Sequence, residues 1–276
     1  MMLKWAGGKT WLARNHPDIF KGLKFSLTNP NAKTIKYKRY IEPFVGGGAV
    51  FKYINPKESI ISDINNELIT YYSCLKNDYL RLYENVQCHF KQHSKGYYYS
   101  LRKDIKTENF DIAARFLYLN YTCFNGIYRV NQKNEFNVPM GDKSNFHYDI
   151  KDFENYSKLL KNTEIYLQDF RKTIQIAREG DFLFVDPPYV TKSNKSTFSK
   201  YSPKVFNWQD QEELSKVLNK KSKEGVSVIL TNINDSEILD LYNSHDGWNI
   251  RELDRANILA ISKEKKKYRE VVISNI

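Results

Sequence analysis

The sequence predicts an α/β fold in which a mainly helical segment is inserted between strands of a buried sheet. The pattern of residues 39–51 predicts a strand, then a glycine-rich turn, then the start of a helix. In α/β folds, this order places a turn that can bind a ligand at the edge of the sheet. Residues 182–185, Phe-Leu-Phe-Val, form a second apolar run. The strand is expected to end at Asp186-Pro187, because proline has no N–H to donate to a neighbouring strand of the sheet. Between the two strands, apolar residues recur with helical spacing from 65 to 119.

Composition allows a large packed core and favours a polyanionic partner. The chain has 276 residues, 41% of them hydrophobic, which is enough for one α/β domain with a sizeable insertion. Lys and Arg number 43 against 32 Asp and Glu, so the formal net charge is +11. A positive charge of this size suits nucleic acid, although a lysine-rich solvated surface would explain it equally well.

Cysteine usage and the amino terminus predict a cytoplasmic protein. Cys74, Cys88 and Cys123 are odd in number and widely spaced, so free thiols are expected. The first residues lack the apolar core of a secretory signal, and no run of 18 apolar residues predicts a membrane span. Cys88, His89 and His93 share one predicted helix without a second ligand pair, so we expect no metal there.

The segment Asp186-Pro187-Pro188-Tyr189 is the strongest candidate for chemistry, because open α/β sheets bind ligands at the carboxyl ends of their strands. An exocyclic amine of adenine or cytosine is a poor nucleophile until acceptors on its N–H groups favour a pyramidal nitrogen. Asp186 and the Pro187 carbonyl can supply these acceptors, and Tyr189 offers a flat face for the base. With an ordinary pKa of about 3.9, an aspartate suits orientation better than full proton removal. The simpler alternative is a turn that Asp186 caps and Tyr189 packs.

Four further segments are candidates for binding a nucleoside. Glycines 46–48 remove side chains where backbone must touch a ligand, although their spacing differs from the dinucleotide fingerprint. Asp63 ends the second predicted strand, where it suits a ribose diol and can also cap the next helix. Asp169 and Phe170 follow the third strand and are expected near the glycine turn, around an adenine ring. In residues 5–9, Trp-Ala-Gly-Gly-Lys, the small residues would let the backbone approach a ligand closely. Alternatively, the segment is an N-terminal turn that the packing of Trp5 holds in place.

Asn125-Gly126 predicts a tight hairpin-like turn, because aromatic and β-forming residues flank a pair that tolerates positive φ. An aromatic ring, amides, Arg129 and Pro139 would then share a rigid tip. Such a tip suits insertion into a duplex and contact with base edges. An ordinary aromatic turn is the alternative.

Taken in order, these motifs resemble the DNA adenine methyltransferase (Dam) family, whose orphan and restriction-associated members methylate adenine at N6. The resemblance covers nearly the whole chain, and six motifs in the family's order make it specific. The motifs are Lys4-Trp5-Ala6-Gly7-Gly8-Lys9, Glu42-Pro43-Phe44-Val45-Gly46-Gly47-Gly48, Ser62-Asp63-Ile64-Asn65, Phe124-Asn125-Gly126-Ile127-Tyr128-Arg129-Val130-Asn131, Phe136-Asn137-Val138-Pro139 and Asp186-Pro187-Pro188-Tyr189.

The resemblance implies a Rossmann-like S-adenosylmethionine-dependent methyltransferase domain, residues 1–63 and 160–276, interrupted by a mainly helical target-recognition domain, residues 64–159. It implies S-adenosylmethionine as cofactor, S-adenosylhomocysteine as product and double-stranded DNA as partner. The expected reaction is site-specific methyl transfer to N6 of an adenine flipped out of the duplex, within a GATC-like site. No obligate protein partner is expected, and a monomer fits the sequence.

The resemblance also implies roles for individual residues. The expected catalytic residues are Asp186, Pro187 and Tyr189. The expected cofactor contacts are Trp5, Ala6, Gly7, Lys9, Glu42, Pro43, Phe44, Gly46, Gly48, Asp63, Asp169, Phe170 and Asp186. The expected DNA contacts are Lys4, Phe124, Asn125, Gly126, Ile127, Arg129, Asn137, Pro139, Lys143 and, from a long polar loop at 191–203, Phe198 and Tyr201. Lys4 matches a family lysine that reads a base, and Phe124 matches an aromatic residue that inserts into the base stack. Arg129 and Pro139 match family residues near the recognised guanine.

The sequence departs from the family after Gly141, where Asp142-Lys143 replaces the Arg-Tyr of many relatives of GATC specificity. One base-reading contact, and with it the recognition sequence, is therefore left open. Two alternatives also stand: an N4-cytosine or RNA methyltransferase, and a DNA-binding relative without catalysis. Aspartate rather than serine at 186 favours adenine by association with the family, and the intact Asp186 and Tyr189 argue against an inactive protein.

Overall fold

A computed structural model describes residues 3–23, 37–131, 133, 135–143, 147–192, 206–254 and 269–276. In this part of the chain, strands form one seven-stranded sheet. The strands are β1 (Tyr40–Glu42), β2 (Ser59–Asp63), β3 (Thr163–Leu167), β4 (Phe182–Val185), β5 (Ser227–Ile233), β6 (Asn249–Asp254) and β7 (Arg269–Ser274).

The strand order is β3-β2-β1-β4-β5-β7-β6, with neighbours from β3 to β5 parallel and β7 antiparallel to both of its neighbours. The order reverses between β1 and β4. The turns that follow these two strands therefore open into one crevice at the carboxyl edge of the sheet, the usual ligand site of doubly wound sheets. The predicted α/β, Rossmann-like architecture is confirmed.

Successive residues of β4 alternate between two apolar cores, one on each face of the sheet. Phe182 and Phe184 belong to one core, and Leu183 and Val185 belong to the other. A strand buried on both faces has no need for polar residues, which explains its unbroken apolar run. The covering helices are α1 (Thr10–Asn15), α2 (Ala49–Ile54), α3 (Asn66–Asn77), α4 (Tyr79–Lys91), α5 (Lys95–Lys103), α6 (Asn109–Thr122), α7 (Ile150–Leu160), α8 (Phe170–Gln175), α9 (Trp208–Lys223) and α10 (Ser236–Asn243).

Helices α3 to α7 lie between β2 and β3 in the sequence, where they form a mainly helical segment inserted between strands. Leu68 of α3 and Phe116 of α6 are buried in the same core as the phenylalanines of β4. The inserted helices are therefore packed onto the sheet. The division into residues 1–63 with 160–276, and 64–159, stays a prediction.

The sequence spacing predicts an inward stripe in each of α3 and α4, and the structure departs from it at one residue of α4. The predicted residues are Leu68, Ile69, Tyr72 and Leu75 in α3, and Leu80, Tyr83, Val86 and Phe90 in α4. The stripe predicted for α3 is buried, but Leu80 of α4 is 46% exposed and Leu82 is buried instead. Asp78 caps α4 by accepting a hydrogen bond from the backbone N–H of Arg81. From that start, Leu82 and Val86 lie four residues apart on the inner face. The face of α4 that packs into the core therefore carries Leu82 and not Leu80.

The prediction of a tight hairpin turn at Asn125-Gly126 is wrong. Phe124–Gly126 form a single 3-10 turn directly after α6, with φ of 56° at Asn125 and 65° at Gly126. The chain returns further on, where Val130 and Phe136 form an antiparallel bridge. The two positive φ angles redirect the chain after a helix rather than between two strands.

His89 of α4 and His93, which follows the C-terminal cap of that helix, contact tyrosine hydroxyls. The His89 Nδ1 lies 2.6 Å from the Tyr97 hydroxyl, and the His93 Nδ1 lies 2.8 Å from the Tyr118 hydroxyl. Burial lowers the pKa of His89 to about 4, so its ring is neutral at pH 7. Cys74, Cys88 and Cys123 carry free thiols. None of the helices described is long and apolar enough to cross a membrane.

Substituting Gly48 by alanine is expected to destabilise the fold. Gly48 has φ of +63°, and an added Cβ would lie 2.8 Å from the Tyr72 hydroxyl and 2.9 Å from that of Tyr156. A left-handed alanine costs about 1–2 kcal/mol before the clash is counted. We expect urea denaturation to show a loss of about 2 kcal/mol or more in unfolding free energy. The control is Gly96→Ala in α5, where an added Cβ meets no atom within 4 Å and stability should not fall.

Candidate active site

The amino-terminal segment, residues 3–9, lies across the crevice between β1 and β4. A Cβ added to Gly46 would lie 2.8 Å from atoms of the Trp5 indole, so the ring rests directly on the glycine turn after β1. Lys9, four residues later, reaches the residue that follows β4. The predicted contact segment of residues 5–9 and the predicted catalytic segment are therefore neighbours.

Asp186 is held through one of its two carboxylate oxygens. Its Oδ1 accepts the Lys9 ammonium at 2.8 Å, the Thr231 hydroxyl at 2.7 Å and the Tyr189 hydroxyl at 3.4 Å. Its Oδ2 has no hydrogen-bond partner among the described residues. The carboxylate is therefore fixed on one side and free to accept hydrogen bonds on the other.

Burial and the Lys9 ammonium act in opposite directions on Asp186. The side chain is 20% exposed, and burial raises the pKa of its carboxyl, whereas the charge and hydrogen bonds of Lys9 and Thr231 lower it. Lys9 is itself only 3% exposed and donates a second hydrogen bond to the Gly7 carbonyl at 2.8 Å. A carboxylate paired with a buried cation is a restrained acceptor, which suits orientation of an amine.

Tyr189 faces the same cluster with its hydroxyl and its ring. The hydroxyl donates to the Glu270 Oε2 at 2.8 Å, and the Lys9 Nζ lies 4.9 Å from the ring centroid, within cation–π range. Burial raises the pKa of Tyr189 well above its ordinary value, so the hydroxyl stays protonated and donates. Pro187 is buried and the Tyr189 side chain is half-buried.

Hydrogen bonds fix the glycine turn from three directions. The Gly46 N–H donates to Asp63 Oδ2 at 3.2 Å, and the Tyr72 hydroxyl donates to the Gly46 carbonyl at 2.8 Å. The Tyr156 hydroxyl donates to the Gly48 carbonyl at 3.3 Å. These bonds hold the backbone of the turn in a single conformation beside Asp186.

Asp63 braces the turn instead of capping α3. Its Oδ1 accepts the Asn65 N–H at 3.0 Å, and Asn65 is the cap, accepting from the Leu68 N–H. Burial raises the pKa of Asp63, and the backbone N–H groups of Asn65 and Gly46 oppose the rise. The capping alternative is therefore excluded for Asp63, while its predicted contact with a ribose stays a prediction.

The remaining predicted cofactor residues surround the turn. Glu42 is buried at the end of β1, where it accepts the Tyr40 hydroxyl at 2.7 Å, and burial raises its pKa well above the ordinary value. The rings of Phe44 and Phe170 stack at 5.2 Å between centroids. Asp169 caps α8 by accepting the N–H of Arg171 at 2.9 Å. Pro43 contributes its carbonyl to the Ser62 hydroxyl at 3.3 Å, and Ala6 lies exposed beside Gly7.

A second surface gathers most of the residues predicted to contact DNA. The Phe124 N–H donates to the Pro139 carbonyl at 2.9 Å, which joins the two ends of the segment, and the Phe124 ring is 48% exposed. The Arg129 Nε donates to the Asn137 side chain at 2.8 Å. Asn125 is exposed and Ile127 is half-buried on the same turn. Phe198 and Tyr201 lie outside the described residues.

Two lysines adjoin this surface. The Lys4 backbone exchanges hydrogen bonds with the buried Asn120 side chain at 3.0 and 2.9 Å, and a Cβ on Gly126 would overlap the Lys4 side chain. Lys143 lies with its ammonium 3.8 Å from the ring centroid of Tyr121. Burial first, and then the neighbouring Lys4 charge, lower the pKa of Lys143. Two adjacent cations of this kind attract an anionic or electron-rich group.

Comparison with known proteins decides the family. A model of the D12 class N6 adenine-specific DNA methyltransferases matches residues 5–261. The chain belongs to this family. The resemblance to DNA adenine methyltransferases is thereby confirmed, and the chain is an enzyme of the adenine-specific DNA methyltransferase class.

Three relatives cover most of this methyltransferase chain. The Type II methyltransferase M.MjaIII of Methanocaldococcus jannaschii is 37% identical over 96% of the chain and 94% of its own length. The Type II methyltransferase M1.LlaDCHI of Lactococcus lactis subsp. cremoris is 33% identical, over 99% and 94%. A DNA adenine methylase of Haemophilus influenzae is 31% identical, over 87% and 82%.

Several residues of this methyltransferase site carry no recognisable signal in the sequence. Thr231 follows an apolar run within β5, and that position is the one hint available. Glu270 lies in an alternating strand, where nothing local marks it as buried. Asn120 looks like an ordinary helix residue, yet it clamps Lys4. Only contacts between distant parts of the chain identify these three.

Replacing Asp186 by alanine is expected to remove methyl transfer from this methyltransferase while the protein stays folded. Asp186→Asn keeps the size but offers a neutral acceptor, and we expect its single-turnover rate to fall by about 10²–10³. Circular dichroism checks folding, and transfer of a labelled methyl group to DNA measures the rate. Asp246→Asn, an exposed carboxylate after α10, is the matched control. Near-normal turnover by Asp186→Ala would contradict the assignment.

Proposed function

We propose that this methyltransferase transfers the methyl group of S-adenosylmethionine to N6 of an adenine flipped out of double-stranded DNA, within a GATC-like site. The observation that carries the proposal is the state of Asp186. One of its oxygens is held by Lys9, Thr231 and Tyr189, and the other accepts no hydrogen bond from the described residues.

The chemistry of the residues around the turn fits the cofactor. Bound S-adenosylmethionine supplies an electrophilic methyl group on a cationic sulfur, and it also carries an ammonium group and a ribose diol. Glu42, Asp63 and Asp186 are carboxyl groups at the ends of β1, β2 and β4, and carboxylates suit cations and hydroxyls. Trp5 and the stacked Phe44 beside the turn provide apolar faces for an adenine ring.

Asp186 and Pro187 then act on the target amine. The free Oδ2 of Asp186 accepts one N–H of the amine, and the Pro187 carbonyl accepts the other. These hydrogen bonds favour a pyramidal nitrogen whose lone pair can attack the methyl group, and they stabilise the positive charge that develops on that nitrogen. As the nitrogen–carbon bond forms, the bond between the methyl carbon and the sulfur would break and leave S-adenosylhomocysteine, and the proton of the amine would then pass to Asp186 Oδ2. Burial keeps the pKa of Asp186 above its ordinary value against the opposing Lys9 charge, which suits the carboxylate to accept that proton.

Reaching the amine requires the adenine to leave the duplex, since N6 is otherwise engaged in pairing. Extrusion costs a few kcal/mol. The Phe124 ring is 48% exposed on a turn tied to Pro139 and can fill the gap in the stack. Tyr189 can stack on the extruded base. Stacking is worth about 1–3 kcal/mol per base, which is the same order as the cost.

Sequence recognition is assigned to the surface around Phe124. Lys4 and Lys143 present adjacent ammonium groups that suit guanine O6 and N7 or a phosphate. Arg129 is oriented by Asn137 on the same segment. Asp142 occupies a position where many relatives of GATC specificity carry arginine, so one base-reading contact of those relatives is not available to this chain.

The proposed function is tested by incubating the protein with labelled S-adenosylmethionine and a plasmid library of random sequence, then mapping the modified bases. We expect N6-methyladenine at one short recurring sequence. Label at cytosine N4, label only in RNA, or DNA binding without label would each contradict the proposal and support one of the alternatives.

Phe124→Ala is expected to impair methylation of paired DNA more than methylation of a duplex whose target adenine faces a mismatch. Mismatched bases cost less to extrude, so the wedge matters less there. We expect about a tenfold fall in the single-turnover rate on matched duplex and a much smaller one on mismatched duplex.

The control for Phe124→Ala is Leu80→Ala on α4, since Leu80 is 46% exposed and distant in sequence from the turn. Fluorescence of 2-aminopurine at the target position reports extrusion in the same samples. Equal losses on both duplexes with extrusion intact would assign Phe124 to packing.

A further inference from the structure

A second carboxylate lies buried beside Asp186. Glu270 is near the start of β7, opposite Ile233 of β5, and its side chain is 4% exposed. Its Oε2 accepts the Tyr189 hydroxyl at 2.8 Å and lies 3.7 Å from the Lys9 ammonium. Burying two carboxylates close together costs free energy through desolvation and mutual repulsion, so their placement requires an explanation.

The two carboxylates share the same two partners. The Lys9 ammonium lies 2.8 Å from Asp186 Oδ1 and 3.7 Å from Glu270 Oε2. The Tyr189 hydroxyl has the opposite preference, at 3.4 Å from Asp186 and 2.8 Å from Glu270. A small movement of Lys9 toward Glu270 would weaken its hold on Asp186 without leaving the ammonium unpaired.

We propose that Glu270 is a positioning residue for methyl transfer: by sharing Lys9 and Tyr189 with Asp186, its negative charge keeps Asp186 available as acceptor for the target amine. The inference rests on the proposed function and adds a residue that the family motifs do not include. Glu270 acts through Lys9 and Tyr189 and does not touch the reacting atoms.

The partners of Lys9 support this role. Without Glu270, Asp186 would be the one carboxyl partner of the Lys9 ammonium among the described residues, beside the Gly7 carbonyl. Glu270 places a second carboxyl group within 3.7 Å of the same ammonium. During transfer, positive charge moves onto the amine nitrogen as its lone pair forms the new bond to carbon, and a fixed negative surrounding stabilises that charge.

Glu270→Gln tests the charge with little change in shape, because an amide oxygen can still accept the Tyr189 hydroxyl. We expect the single-turnover rate to fall roughly tenfold or more, while the affinities for S-adenosylmethionine and DNA stay within about twofold. Loss confined to thermal stability, with a wild-type rate, would overturn the proposal.

The pH profile separates charge from structure. Within the part of the chain that the structure describes, the charged or titratable groups that act on Asp186 are Lys9 from the amino-terminal segment, Glu270 from β7, Glu42 from β1 and Tyr189 on its own loop. The Glu270 charge raises the pKa of Asp186, so a neutral glutamine lowers it. We therefore expect the acid limb of the rate profile to move to lower pH in Glu270→Gln. An unmoved limb would contradict the role.

Two further variants complete the test. Glu270→Asp restores the charge on a shorter side chain, and we expect it to recover part of the rate and to keep the wild-type acid limb even if Glu270→Gln folds poorly. Glu252→Gln removes a carboxylate that is 58% exposed on the neighbouring strand β6 and should behave as wild type. Equal losses in Glu270→Asp and Glu270→Gln would assign Glu270 to strand packing. Wild-type protein that methylates no adenine would contradict the proposed function itself, which is a separate outcome.

Discussion

The ion pair between Lys9 and Asp186 is the contact on which the rest of the site depends. An ammonium that is 3% exposed needs a charged partner, and the Asp186 Oδ1 at 2.8 Å is that partner. The pair ties the amino-terminal segment to the end of β4. With that segment held there, Trp5 lies on the glycine turn after β1, and the two walls of the crevice are joined. The same pair restrains the basicity of Asp186 and saturates one of its oxygens, so structure and chemistry share a single interaction.

A chain of contacts continues from this segment into the inserted helices. The Trp5 indole stacks on Tyr128 at 5.3 Å between ring centroids, and the Tyr128 hydroxyl donates to Glu67 of α3 at 2.7 Å. Arg115 of α6 donates to the other oxygen of Glu67 at 2.7 Å. The segment that follows Phe124 is therefore connected to the glycine turn through packed rings and a buried ion pair. A substitution at Tyr128 would disturb both surfaces, although it lies in neither the catalytic nor the glycine motif.

Local sequence patterns predicted what local physics controls, and they failed where a pattern has two structural uses. Proline after an apolar run ends a strand in nearly any context, so the position of Asp186 could be inferred directly. Asn-Gly permits positive φ both in hairpins and after helices, so the pair at 125–126 predicted the wrong turn. Leu80 and Leu82 are equally apolar, and the packing of α4 against the rest of the core decides between them.

By itself, the sequence determined the α/β class, the strand that ends at Asp186, the glycine turn and the family to which these motifs belong, because each depends on residues that are near one another in the chain. The tertiary structure alone decided which oxygen of Asp186 the described residues hold, that Asp63 braces the turn, and that Glu270 lies beside Asp186. These contacts join residues far apart in sequence. Their geometry follows from the strand order, above all from the antiparallel insertion of β7 beside β5, which no local pattern specifies.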